Sequence, residues 1–161
     1  MESLLAEYVA DRSHESEPAP GSFTGAAGGA ACGDLARISL VVENGVVSRA
    51  CFGTEGCAAT RAACACVCEL IEGESVLEAA RIGATRIEEE LGGLSPARRH
   101  AAMLAGDALH RALSAVASSG ELISPLVEGR VLVAVSGGVD SAVAALGEKE
   151  AGAEVVAVTV K

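Results

Sequence analysis

The sequence predicts an α+β fold in which an antiparallel sheet packs against helices, followed by a truncated β-loop-α-β segment. Two observations support this prediction. On both sides of Asn44-Gly45, apolar residues alternate with polar ones, which is the pattern of a β-hairpin with a tight two-residue turn. Residues 57–117 then show helical spacing, whereas residues 131–135 form a continuous apolar run before a glycine turn, which is typical of a buried parallel strand.

The amino-terminal elements are predicted from composition and alternation. Residues 3–11 can form one short helix, and residues 12–31 are expected to be a mobile lead-in, because Gly, Pro, Ser and Ala dominate it without periodicity. Residues 36–42 and 46–52 are the two predicted strands of the hairpin. The side chains expected on the buried face of the first strand are Ala36, Ile38, Leu40 and Val42.

Three helices are predicted after the hairpin. The first covers residues 57–72, where small apolar residues continue until Gly73. The second begins at Ser75, which forms a capping box with Glu78, and continues to Gly92-Gly93. The third begins with the cap and first-turn proline Ser95-Pro96 and ends near Ala117.

The pattern changes after the third helix, which predicts a domain boundary. We expect a first domain at residues 1–120, a linker at residues 121–128 and the beginning of a second domain at residues 129–161. The last segment reads as strand, glycine turn, helix and strand. It is far shorter than a typical domain of about 100–150 residues, so it cannot bury a separate core.

Composition and charge limit the possible functions. The chain has 12 basic and 22 acidic residues and a formal charge of −10. This acidic balance argues against binding of nucleic acid by this chain alone, because neutralising the phosphates requires clustered Lys and Arg residues. It has no apolar run of about 18 residues, as a membrane span requires, and the amino terminus lacks the pattern of a secretory signal. We therefore expect no membrane association and a cytoplasmic protein. Its six cysteines are then ligands, nucleophiles or core residues rather than disulfides.

Four side chains are candidate metal ligands. Cys32 and Asp34 follow a glycine-rich loop, Cys57 lies at the start of a helix, and His100 lies near the start of the third helix. Together they offer two sulfur donors, one oxygen and one nitrogen, which is enough for a tetrahedral site. The spacing alone matches no general metal motif.

The motifs around these residues resemble a known family. Residues 29–34 read Gly-Ala-Ala-Cys-Gly-Asp, residues 52–57 read Phe-Gly-Thr-Glu-Gly-Cys, and residues 91–100 end in Ala-Arg-Arg-His. Over residues 3–116 the chain is similar to the iron–sulfur cluster scaffolds IscU and the NifU amino-terminal domain. The resemblance implies an IscU/NifU-like fold, a zinc ion or a nascent [2Fe-2S] cluster on Cys32, Asp34 and Cys57, and a cysteine desulfurase as partner. It also makes Cys32 and Cys57 the candidates for carrying a persulfide.

One position departs from the family pattern. The family has a third cysteine directly after the histidine, whereas this chain has Ala101 after His100. Two thiolates, one carboxylate and one imidazole also suit zinc, so the sequence leaves zinc and a cluster as alternatives. The remaining clustered cysteines, Cys51, Cys64, Cys66 and Cys68, are predicted to be packing residues, with Cys66 on a different helix face from Cys64 and Cys68. His14 and His110 are expected to be solvated surface residues.

The glycine turn of the last segment is a second candidate binding site. It follows a buried strand and opens a helix, where backbone N–H groups can hold phosphates. Residues 136–141 read Ser-Gly-Gly-Val-Asp-Ser. With the apolar runs before and after it, this turn resembles the PP-loop of ATP pyrophosphatases, most closely the start of the MnmA family of tRNA 2-thiouridylases. The resemblance implies that ATP phosphates bind here and that tRNA is bound only through residues absent from this chain. The candidate phosphate-binding residues are Ser136, Gly137, Gly138, Val139, Asp140 and Ser141.

These observations favour a scaffold-like domain that binds iron–sulfur or zinc and relays sulfur, joined to the start of a tRNA thiolation enzyme. The alternative is a fragment of an ATP-dependent tRNA-specific 2-thiouridylase whose degenerate scaffold domain only recruits the desulfurase. A scaffold remnant without metal is a third reading. In each case the chain alone is not expected to be catalytic, whereas a full-length fusion would be a tRNA-uridine 2-sulfurtransferase.

Overall fold

The alternating residues around Asn44-Gly45 form the centre of a three-stranded antiparallel sheet. The computed structural model describes residues 2–29, 33–120 and 129–159. The strands of the sheet are β1 (Phe23–Gly28), β2 (Leu35–Glu43) and β3 (Val46–Glu55). They are arranged in the order β1-β2-β3. Asn44 and Gly45 have φ angles of 53° and 77°, the left-handed conformation that a two-residue hairpin turn requires, so the predicted hairpin is confirmed.

The first unit, Met1–Leu122, places its helices against this sheet. The helices are α1 (Glu2–Ala10), α2 (Ala58–Ile71), α3 (Val76–Ala79), α4 (Ala84–Glu90) and α5 (Arg99–Ser119). Both α2 and α5 pack on the strands, and α1 and α4 pack in turn on α2. Ala36, Ile38 and Leu40 form the buried side of β2, as the alternation predicts, whereas Val42, next to a register shift in the strand pairing, is only partly buried.

One of the three helix predictions needs correction. The single helix expected from Ser75 to Gly92-Gly93 is two short helices, α3 and α4, because Gly83 takes an extended conformation and starts α4. Glycine has low helix propensity, which the apolar spacing on either side of it conceals. The predicted Ser75 cap is present, since its hydroxyl accepts the Glu78 backbone N–H. The third helix begins with a 3-10 turn at Pro96–Arg98 and ends at Gly120, which has a φ of 80°.

The prediction of a mobile lead-in is wrong for much of residues 12–31. Residues 23–28 are strand β1, and Glu15 forms a parallel bridge with Phe52 of β3. The composition of β1 looks like a loop because α5 crosses it closely. A Cβ at Gly25 would lie 2.2 Å from the Ala108 carbonyl oxygen, so a glycine is needed there. His14 is also not a solvated surface residue: its Nε2 lies 2.9 Å from Oε2 of Glu72, and its side chain is 19% exposed.

Small residues allow α2 to be buried on nearly all sides. Cys64, Cys66 and Cys68 are fully buried, which agrees with their predicted packing role. Cys66 lies on a different face, as expected, but α1 covers that face and the Tyr8 hydroxyl hydrogen-bonds to the thiol. Burial raises the pKa of the Cys64 and Cys66 thiols to about 12. Cys51 is buried in β3.

The second unit, Ile123–Lys161, has the predicted β-loop-α-β order. Its elements are β4 (Arg130–Ala134), α6 (Val139–Glu150) and β5 (Glu154–Val158), and the two strands pair in parallel. None of its described residues is buried. Apolar side chains such as those of Leu132, Val139 and Val143 are more than half exposed. The described part of this segment therefore has no core of its own, as its length predicts. The predicted linker at 121–128 lies outside the described residues.

None of the helices in the described part of the chain combines the length and the apolar character that a membrane span needs.

Candidate metal centre

Three elements of the first unit bring Asp34, Cys57 and His100 together. Asp34 directly precedes β2, Cys57 is the N-cap residue of α2, and His100 lies in the first turn of α5. Their ligand atoms all lie within 4.8 Å of one another. His100 is 66 residues from Asp34 in the sequence, so it is the fold that brings these predicted ligands together. The fourth predicted ligand, Cys32, lies outside the described residues.

Asp34 is the centre of the cluster. Its side chain is 8% exposed, and its two oxygens have different partners. Oδ1 accepts the Cys57 backbone N–H at 2.9 Å, whereas Oδ2 accepts the Thr60 hydroxyl at 2.7 Å. The Thr60 hydrogen bond, followed by those from Cys57 and His100, lowers the pKa of Asp34 far below its usual range, although burial acts in the opposite direction. Asp34 is therefore an ionised, acceptor-only group.

Two glycines make room for Asp34. A Cβ at Gly56, which has a φ of +126°, would lie 2.0 Å from Oδ1 of the carboxylate. A Cβ at Gly28, the last residue of β1, which has a φ of +102°, would lie 2.1 Å from the Asp34 backbone carbonyl oxygen. These clashes explain why a glycine directly precedes Cys57 and why β1 ends in a glycine.

Cys57 places an accessible thiol beside the carboxylate. Its Sγ lies 3.1 Å from Oδ2 of Asp34 and 3.4 Å from the Thr60 hydroxyl. Of the five cysteines that the structure describes, Cys57 alone is exposed. As the N-cap residue of α2 it also lies at the positive end of the helix dipole, which favours an anionic ligand atom. A thiol in this position can bind a metal or accept a sulfur atom.

His100 is oriented so that one ring nitrogen faces the carboxylate. Nδ1 lies 3.0 Å from the Ala97 carbonyl oxygen, and because a carbonyl only accepts, Nδ1 carries a proton. Nε2 lies 3.0 Å from Oδ2 of Asp34. With the proton on Nδ1, Nε2 is the ring nitrogen that can bind a metal ion beside Oδ2 of Asp34. The pair therefore attracts a cation.

A cavity of about 440 Å³ opens over the three ligands. Leu5 and Val9 of α1 form part of its wall, next to Arg98 from the turn before α5. One sulfur, one oxygen and one nitrogen donor with room for further ligands suit zinc or iron, and lack the all-oxygen set that magnesium and calcium prefer. Ala101, at the position of the family's third cysteine, is fully buried in the core.

Thr60 was missed from the sequence although it touches two of the ligands. It is fully buried and belongs to the first turn of α2, three residues after Cys57. Residues three apart on a helix lie on the same face, so the Cys-x-x-Thr spacing was a usable signal. The Ala97 carbonyl orients His100 through the backbone, so the identity of the residue at position 97 does not predict this contact.

The glycine turn of the second unit has the local geometry of a helix N-terminus. Gly138 is the N-cap of α6, and the Ser141 hydroxyl donates to its carbonyl at 3.0 Å. The Ser136 backbone N–H donates to the Ser141 hydroxyl at 3.3 Å. Ser136, Gly137, Gly138, Val139, Asp140 and Ser141 thus form a turn at the start of a helix, and phosphate binding by them stays a prediction.

Both units match known protein families. Residues 9–121 match the NifU-like N terminal domain, and residues 129–161 match the tRNA methyl transferase HUP domain. A bifunctional protein NifU/MnmA of Rubrobacter xylanophilus is 43% identical over 166 residues, which cover 96% of this chain and 34% of that protein. The chain thus spans about a third of the length of that relative.

Shorter relatives match the first unit. The iron–sulfur cluster assembly scaffold protein IscU of Buchnera aphidicola subsp. Baizongia pistaciae is 40% identical over 92 residues, which cover 56% of this chain and 72% of that protein. Among solved structures, a scaffold protein for the SUF system from Fervidobacterium islandicum has a TM-score of 0.59 at 16% identity, covering 69% of this chain and 94% of the other. A NifU-like amino-terminal protein from Brucella abortus has a TM-score of 0.53 at 19% identity, covering 72% of this chain and 93% of the other. These two likenesses confirm the predicted α+β fold.

Proposed function

The chain belongs to the NifU-like N-terminal domain family, which confirms the resemblance found in its sequence, and from this premise we propose that its first domain is an iron–sulfur cluster assembly scaffold. In the proposal, Cys32, Asp34, Cys57 and His100 hold the cargo, a nascent [2Fe-2S] cluster or a zinc ion. The observation that supports it most directly is the convergence of the Asp34, Cys57 and His100 ligand atoms within 4.8 Å.

The proposed ligands differ in ways that suit temporary binding. Asp34 is buried and held by two hydrogen bonds, so it forms the fixed point of the site. The side chains of Cys57 and His100 are accessible, and His100 is 45% exposed. A carboxylate is a harder ligand than a thiolate and binds iron of a cluster less firmly. A site of this composition can therefore hold a cluster and release it to an acceptor.

We also propose that the domain receives sulfur from a cysteine desulfurase. Cys57 is the better supported of the two persulfide candidates because its thiol is exposed at the amino-terminal end of a helix. Cys32, two residues before Asp34, is the second candidate. A reducing cytoplasm is the compartment in which such a thiol stays available.

For the second unit we propose the start of an ATP-binding domain of a tRNA thiolation enzyme. Its match to the HUP domain and the 43% identity to a bifunctional NifU/MnmA protein support this assignment. In this proposal, residues 1–120 are the scaffold, 121–128 the linker, and Ser136 to Ser141 contact ATP phosphates. Joining the two activities would raise the effective concentration of sulfur donor beside its acceptor. Transfer of sulfur to tRNA would require a longer protein.

Ala101 favours a second candidate function. A scaffold that lacks the family's third thiolate could serve only to recruit the desulfurase to the thiolation enzyme. In that case the first domain would bind the desulfurase without retaining iron and sulfide.

Metal and labile-sulfide content of the anaerobically purified chain tests these proposals. We expect bound metal in the wild type and its loss in Cys57→Ala and His100→Ala. His110→Ala is the matched control, because His110 is an exposed histidine of the same helix, α5. Iron with sulfide supports the cluster scaffold, and zinc without sulfide supports a sulfur relay. Absence of metal from the wild type would leave only the recruiting function, and equal metal content in Cys57→Ala would refute the proposed site.

A further inference from the structure

We propose that Thr60 is a positioning residue of the metal centre, which holds Asp34 as a single-oxygen ligand and thereby favours a tetrahedral ion such as zinc. The proposal rests on the proposed function of the site and extends it to a residue outside the ligand set. Thr60 is fully buried, yet its hydroxyl faces the ligands rather than the surrounding core.

The contacts of Asp34 show how its orientation is fixed. Thr60 donates to Oδ2 at 2.7 Å, while the Cys57 backbone N–H holds Oδ1 at 2.9 Å. The two donors belong to the same helical turn, so the carboxylate is held at both oxygens by one rigid element. If the Asp34 carboxylate rotated so that both of its oxygens faced the same ion, at least one of these two hydrogen bonds would break. Oδ2, which also faces His100 Nε2 at 3.0 Å, is therefore the oxygen that the site presents.

Thr60 also fixes the relation between the oxygen and sulfur ligands. Its hydroxyl lies 3.4 Å from Cys57 Sγ, which in turn lies 3.1 Å from Oδ2 of Asp34. The hydroxyl thus lies between two ligand atoms from different elements. Hydrogen-bonding partners of metal ligands orient them, and their loss typically weakens metal binding by about 10–100-fold. A carboxylate restricted to one oxygen suits tetrahedral zinc and disfavours calcium, which accepts bidentate carboxylates.

The test compares Thr60→Val, which removes the hydroxyl at similar volume, with Thr60→Ser, which keeps it. Thr24→Val is the matched control, because Thr24 makes a 2.8 Å hydroxyl hydrogen bond to Ser39 within the sheet. Zinc affinity is measured by competition with a chelator, the geometry of the site by the absorption spectrum of the cobalt-loaded protein, and folding by the thermal midpoint of the metal-free protein.

We expect Thr60→Val to weaken zinc binding by about 10–100-fold and to change the cobalt spectrum, with Thr60→Ser and Thr24→Val close to wild type. If Thr60→Val does not fold, Thr60→Ala replaces it in the same comparison. Wild-type affinity and spectrum in the hydroxyl-free variant would overturn the proposal and leave the metal site intact. Equal losses in Thr60→Ser and Thr60→Val, with lowered thermal midpoints, would show a packing role instead. A wild type that binds neither ion would refute the proposed metal site itself, and this inference with it.

Discussion

Replacing Gly56 by alanine tests whether the buried carboxylate of Asp34 depends on the glycine before Cys57. The new Cβ would lie 2.0 Å from Oδ1 and 2.7 Å from Cγ of Asp34, so the carboxylate has to move. Moving it breaks the 2.9 Å hydrogen bond from the Cys57 backbone N–H. Hydrogen bonds to charged groups contribute about 1.5–3 kcal/mol each. An alanine with positive φ costs about a further 1–2 kcal/mol.

We therefore expect Gly56→Ala to lower the free energy of unfolding by about 2.5–5 kcal/mol in the metal-free protein. Gly73→Ala is the matched control: Gly73 has a φ of +87°, but nothing lies within 4 Å of its Cβ position. The control should show only the backbone cost of about 1–2 kcal/mol. Urea unfolding followed by far-UV circular dichroism measures both values. Zinc affinity should fall in Gly56→Ala and stay at the wild-type value in Gly73→Ala.

Equal destabilisation of the two variants, with zinc affinity unchanged in both, would refute this reasoning. It would mean that Asp34 does not pack against Gly56, and that the glycine is needed only for its backbone conformation. A loss of zinc affinity in both variants would show that the site responds to general destabilisation rather than to displacement of its central ligand.

Two further predictions follow from pKa values. Because the pKa of Asp34 is lowered in the folded protein, its stabilising effect is complete above the ordinary aspartate pKa of about 3.9 and is lost as the pH falls toward the folded-state value. Acid unfolding should therefore be less steep below about pH 4 in Asp34→Asn than in wild type, and identical titrations would contradict the ionised assignment. Because burial raises the pKa of Cys64 and Cys66 to about 12, iodoacetamide at pH 8 should label Cys57 in the native protein and the two buried thiols only after unfolding. Peptide mass spectrometry measures the labelling, and rapid native labelling of Cys64 would show that α2 is not packed as described.

Alternation and helix signals were sufficient to predict the centre of the fold. The hairpin at Asn44-Gly45 and helix α2 could be predicted because local chemistry alone specifies them. Strand β1 was missed because Gly25 is required by the approach of α5, which no local pattern reveals. The break at Gly83 was missed for the opposite reason, since apolar spacing continues through a residue that ends the helical conformation.

The residues of the candidate site could likewise be predicted only in part. Asp34, Cys57 and His100 could be named because family motifs mark their positions, and the structure brings all three together. Thr60 carries no such mark. Its role depends on a tertiary contact, because the first turn of α2 faces Asp34, which directly precedes β2. The same applies to the Ala97 carbonyl that determines which nitrogen of His100 faces the ligands.

The position of Ala101 links the fold to the chemistry of the site. Its side chain is fully buried in the core, while the neighbouring His100 is 45% exposed and faces the ligands. Of these two neighbours only the histidine carries a donor atom, so the histidine can contribute a ligand and the alanine contributes packing. With alanine in place of the third soft thiolate, the remaining set of two thiolates, one carboxylate and one imidazole also suits zinc. Restoring the family residue with Ala101→Cys should consequently raise the iron and sulfide retained after anaerobic reconstitution relative to zinc. If that ratio does not change, the thiolate count does not determine which cargo the scaffold holds.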